Sequence, residues 1–121
     1  MKVSMLVIAI SLFGAVSALA DAPDASAIWN DAKRAKCVTC HGPDGKGDTK
    51  MGKQKGVKDM SSADWQKSKS DEDILNAVLK GIDREENGKK IKMEPLKNGT
   101  DDEAKALLAF VRGLGAAKPA P

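Results

Sequence analysis

The sequence predicts an all-α domain, and three observations carry that expectation. No segment alternates apolar and polar residues between turn signals, as a half-buried strand would. Three stretches instead repeat apolar residues at helical spacing. Two of these open on paired capping residues, Ser70 with Asp73 and Thr100 with Glu103.

The first helix is expected to start at Ser26, a good N-cap, and to run to about Val38. Ile28, Trp29, Ala32 and Ala35 or Lys36 set its faces, and it delivers Cys37, Cys40 and His41 at its end. A loop rich in glycine and lysine follows from Gly42 to Lys58, with a backbone free to bend closely around a ligand. A short helical piece around Ser61 to Lys67 carries Trp65. The second full helix starts at Ser70, presents Ile74, Leu75, Val78, Leu79 and Ile82, and ends near Gly81. A polar loop then leads through Met93-Glu94-Pro95 to the last helix. That helix starts at Thr100 with the Glu103 capping box, repeats Ala104, Leu107, Leu108, Val111 and Leu114, and closes at Gly113 and Gly115. Residues 116–121 read as a flexible tail. Loops this long in a small helical domain are expected to line a site.

The first 20 residues read as an address. Lys2 precedes an apolar run from Met5 to Ala20, and Ala18-Leu19-Ala20 supplies the small residues of a signal-peptidase site. The run is short for a bilayer span and lacks a basic stop sequence, so cleavage and export to the periplasm are expected, with no stable membrane insertion afterwards. The remaining 101 residues make one domain, assigned to residues 21–115. Loss of Lys2 leaves 19 basic and 17 acidic side chains, a near balance that argues against nucleic acid as a partner. Only Trp29, Trp65 and Phe110 supply large rings after cleavage, and a buried apolar cofactor would fill a core so poor in them.

Cys37-Val38-Thr39-Cys40-His41 carries the chemistry. It is the pattern of c-type haem attachment. Each thiol can add across one haem vinyl group, and two intervening residues on a helical turn bring both sulfurs to one side of the ring. The next residue then offers an imidazole to the iron. Zinc would need about four ligands, and the only cysteines and histidine are already in the motif. A thiol–disulfide enzyme would set Cys-x-x-Cys at a helix start on a βαβ fold, whereas here the cysteines are expected near a helix end with no strands. With no second histidine, the second axial ligand is expected to be methionine, which favours ferrous iron and raises the potential. Met93, 52 residues after His41 in a loop stiffened by Pro95, ranks ahead of Met60, with Met51 or an open site behind them.

A helix leading into this motif, then Gly42-Pro43-Asp44-Gly45-Lys46-Gly47, a Met-Glu-Pro loop and a capped last helix resembles a class I monohaem cytochrome c. The resemblance spans about Ala27 to Leu114. It implies a cytochrome c fold of three main helices and short helical pieces around one covalently bound haem c. Cys37 and Cys40 would form the thioethers, His41 Nε2 would be the proximal ligand and the Met93 sulfur the distal one. First and last helices would cross near perpendicular, with Phe110 and Ala25 or Ala27 near the contact, where relatives often have glycine. Many relatives also carry a proline some ten residues after the histidine, whose carbonyl orients the imidazole through Nδ1–H. Here that region is Lys50-Met51-Gly52-Lys53, which leaves another carbonyl of the stretch to serve. Many relatives have Met-Pro where this chain has Met93-Glu94-Pro95.

The implied function is single-electron transfer between redox partner proteins by a monomeric carrier that turns over no substrate. The alternative is a haem enzyme or gas-binding protein with an open distal site. Trp65 would either donate its N–H to a haem propionate or pack against the ring edge. Lys46, Lys50, Lys53, Lys55 and Lys58 would either ring the haem edge or form a solvated loop. The acids Asp71 to Asp73 and Asp101 to Glu103 answer helix dipoles and have no catalytic role.

Overall fold

The computed structural model describes residues 22–116. The expected leader, residues 1–20, lies outside the described residues, as does the expected tail beyond Ala116. Six helices and one hairpin follow in order: α1 (Ala25–Asn30), α2 (Cys37–His41), α3 (Lys50–Lys55), α4 (Ala63–Ser68), α5 (Asp71–Lys80), β1 (Ile82–Glu86), β2 (Lys89–Met93) and α6 (Asp101–Ala116). The helical class is as expected, and several local expectations are corrected.

The first helix is broken in two. It is capped by Asp24, whose side chain accepts from Ala27 N–H, and not by Ser26. It stops at Asn30 because Asp31 offers its own hydrogen bonds: its carboxylate accepts from Lys33 N–H and its carbonyl from Arg34 and Ala35. A short acidic side chain that bonds nearby backbone competes with helix continuation. The chain turns and restarts as α2 at Cys37.

The loop after the cysteine motif holds a helix of its own. Thr49 caps α3 by accepting from Gly52 N–H at 2.8 Å. Its hydroxyl also donates to the Thr39 carbonyl at 2.7 Å, which fastens α3 beneath α2.

The polar segment after α5 is an antiparallel hairpin, β1 with β2, in register from Ile82↔Met93 to Glu86↔Lys89. Asn87 (φ 53°) and Gly88 (φ 76°) make its two-residue turn, the left-handed pair that such turns require. The strands escape detection because most of their residues are exposed, so neither face shows an apolar alternation.

Both capping boxes form, at Ser70 with Asp73 and at Thr100 with Glu103. Gly113 and Gly115 do not close the last helix, which continues to Ala116. Helix α6 packs against α1, α4 and α5. Ala104, Leu107 and Val111 from α6 meet Ile28 and Trp29 from α1 and Ile74 and Val78 from α5 in the core. Burial of a side chain such as Leu107 contributes about 2 kcal/mol.

Candidate haem site

Cys37, Cys40 and His41 share the single short helix α2, which sits between the α1–α2 turn and α3. Both thiols are free and buried. Helix α3 presses so closely on α2 that a Cβ at Gly52 would collide with the Cys40 and Gly47 carbonyls. The motif therefore rests on a rigid floor.

Trp29 supports it from the other side. Its indole N–H donates to the Gly42 carbonyl at 2.9 Å, immediately after His41. Its ring lies 5.8 Å from the His41 imidazole and 4.9 Å from the Phe110 ring, tilted 39° in each case. The buried indole thus links the motif to α6. Ala25 packs against the core, whereas Ala27 is exposed.

Electrostatics separate two kinds of thiol chemistry. A helix start can lower a thiol pKa and make it nucleophilic. Cys37 does open α2, contrary to the expected placement near a helix end, yet burial pushes its thiol up to about 11. A protonated buried thiol is a poor redox nucleophile. Burial also lowers the His41 pKa, which keeps the imidazole neutral and its lone pair available to a metal. His41 Nδ1 is enclosed and finds no hydrogen-bond partner, so the carbonyl expected from the stretch Lys50 to Lys53 is not supplied. Among the described residues, no group of three or more His, Cys, Asp and Glu side chains could hold a bare metal ion. Two buried free thiols and one neutral imidazole on the same short helix fit covalent haem.

Met93 stands on another element, half-buried at the end of β2. The segments flanking the motif and Met93 meet: Ala35 and Lys36, just before Cys37, face Glu94 and Pro95, just after Met93, across a shallow cleft. Arg34 is the clamp between them. Its carbonyl accepts from Lys97 N–H at 2.9 Å, and its guanidinium donates to the Lys97 and Asn98 carbonyls and to Glu103. The competing methionines have other surroundings. Met60 is buried in the core, and Met51 lies on α3, beneath the cysteine helix.

Sequence reasoning missed the parts played by Arg34, Trp29 and Thr49, since each acts through a contact distant in sequence or through backbone atoms. The five lysines from Lys46 to Lys58 are all exposed, and among the described residues only Lys53 of the five has a carboxylate partner, Asp48 at 3.1 Å. Trp65 is half-buried against the core.

The cytochrome c family model matches residues 24–115. A solved structure described as KustC0563 c-type cytochrome is similar at 32% identity with a TM-score of 0.59, covering 76% of this chain and 98% of that one. No curated protein matches the chain significantly. The chain belongs to the cytochrome c family, and with that membership comes covalently bound haem c. It is a haem protein of the electron-carrying kind. Among the described residues, no helix is long and apolar enough to cross a membrane.

Proposed function

We propose that the mature protein, residues 21–121, is a monomeric periplasmic carrier of single electrons. One haem is held by thioethers to Cys37 and Cys40, with His41 and Met93 as axial ligands. The haem supplies a one-electron couple, and the protein supplies orientation and shelter from water. The observation that carries this reading is the placement of both thiols and the imidazole on one buried helical turn, with the Met93 loop clamped against the same segment through Arg34.

Each group has a defined task. The thiols anchor the cofactor in either oxidation state. Burial keeps His41 neutral, the state in which it can ligate. Trp29 fixes the backbone next to His41 and packs on its ring. Met93 offers a soft neutral sulfur, which favours the reduced state. The exposed lysines after the motif give donor and acceptor proteins a polar surface. Bound propionates add about two negative charges to a chain of net +2, so strong charge steering is not expected.

Mass spectrometry of protein matured in a haem-attaching periplasm tests the attachment. The peptide spanning Cys37 to His41 is expected to retain the mass of one haem under denaturing, reducing conditions. Cys37→Ser with Cys40→Ser should release it. A wild-type peptide with free or disulfide-bonded cysteines would contradict the reading and return the motif to thiol chemistry.

A further inference from the structure

Gly81 and the hairpin that follows it have no part in the core, yet they are built to close tolerances. Gly81 ends α5 with φ 74° and ψ −175°. That region is closed to residues with a Cβ. The space is closed as well: a Cβ there would lie 2.5 Å from the Met93 carbonyl oxygen and 2.9 Å from Pro95 Cδ. The Met93-Glu94-Pro95 backbone therefore sits directly on the Gly81 Cα. Three residues earlier, the Val78 carbonyl accepts from Leu96 N–H at 2.8 Å. The last turn of α5 thus grips the chain at Met93 and just after it, and Ile82↔Met93 is the first rung of the ladder.

Opposite charges face one another along that ladder. Asp83 faces Lys92, Glu85 faces Lys90 and Glu86 faces Lys89. An acidic strand lies against a basic one, and Arg84 pairs along its own strand with Glu86 at 3.3 Å. These residues are largely exposed, so their attraction is screened by salt. A two-stranded hairpin alone is marginal in water, which makes such cross-strand pairs decisive for closure.

We infer that Gly81 and the hairpin, with its facing acidic and basic strands, form a clasp that positions Met93, so that opening of the hairpin governs how readily the distal ligand is displaced. The inference rests on the reading of Met93 as that ligand. Gly81 is a positioning residue in this scheme, and the hairpin makes ligand exchange sensitive to ionic strength.

The test uses the oxidised holoprotein and imidazole as a competing ligand, following the weak long-wavelength sulfur-to-iron band. Wild-type exchange should quicken as salt is raised. Asp83→Lys with Glu85→Lys, both exposed positions, should quicken it by roughly tenfold at low salt and reverse the salt dependence, because salt then screens repulsion from Lys92 and Lys90. Gly81→Ala should weaken the band or speed exchange at least as much. Gly56→Ala controls for backbone strain alone, because Gly56 has φ 65° but nothing within 4 Å of its would-be Cβ, and should leave the band unchanged. If Gly81→Ala does not mature, the charge-reversal variant carries the test. Wild-type exchange rates in the charge-reversal variant, at low salt, would overturn the clasp while leaving the ligand intact. Retention of the band in Met93→Ala would overturn the ligand reading and the clasp with it.

Discussion

The Arg34 guanidinium grips the Glu103 carboxylate at both oxygens across 69 positions of sequence. One pair thereby joins the turn before the cysteine motif to the first turn of the last helix. Glu103 also accepts from Thr100 N–H at 3.1 Å, so a single side chain caps α6 and anchors Arg34. Arg34 in turn holds the Lys97–Asn98 backbone, three to four positions before that helix.

This pair makes stability acid-sensitive. The hydrogen bond from Arg34, then the bond from Thr100 N–H and the Arg34 charge, outweigh burial and hold the Glu103 carboxyl at about 2, below its ordinary 4.5. A carboxyl held low by folding stabilises the fold fully above its unfolded pKa and loses that contribution as pH falls through the folded value. The Tm is therefore expected to drop between about pH 4.5 and pH 2. Glu103→Gln should lower the Tm at pH 7 by roughly 5–10 °C and flatten that acid limb. Thermal melts across this range check both.

Trp29 is expected to matter twice. Trp29→Phe keeps a ring against Phe110 but removes the donor to the Gly42 carbonyl. It should cost about 1–2 kcal/mol, the price of an unmade buried hydrogen bond. It should also shift the midpoint potential of the holoprotein, since the strand of chain next to His41 loses its tie. Chemical denaturation and potentiometric titration report the two effects separately.

Thr49→Val isolates the floor beneath the motif. The substitution keeps the volume and removes both the cap on α3 and the bond to the Thr39 carbonyl. A loss of about 1–2 kcal/mol is expected, with haem attachment retained. By contrast, Leu107→Ala in the core should cost about 2–5 kcal/mol through the cavity it leaves. Urea unfolding of the two variants compares them directly.

Processing gives an independent check on the address segment. N-terminal sequencing of the mature protein from the periplasm should begin at Asp21. Recovery of an intact Met1 start in the membrane fraction would contradict export with cleavage.

Much of the helical fold was legible because it is written locally. Ser70 with Asp73, and Thr100 with Glu103, announce their helices through short-range hydrogen bonds, and the apolar spacing of Ile74, Val78, Leu107 and Val111 marks the faces that meet in the core. The cysteine motif was legible for the same reason, since its spacing is its chemistry. The break at Asp31 was not, because the apolar spacing carries no mark of the bonds from Lys33, Arg34 and Ala35 that Asp31 accepts in place of helix continuation. The hairpin was missed although Asn87-Gly88 is a strong turn signal, because its strands bury neither face. Nor could spacing reveal that His41 Nδ1 lacks the expected carbonyl, or that Trp29 reaches Gly42 instead.

The most direct test of the central claim is the optical spectrum of the purified holoprotein, oxidised and reduced, beside Met93→Ala. The account predicts a c-type reduced spectrum and, in the oxidised wild type, the weak long-wavelength band of sulfur bound to iron, lost in Met93→Ala. A c-type spectrum without that band in the wild type would contradict the His41–Met93 assignment and point to an open-site haem protein.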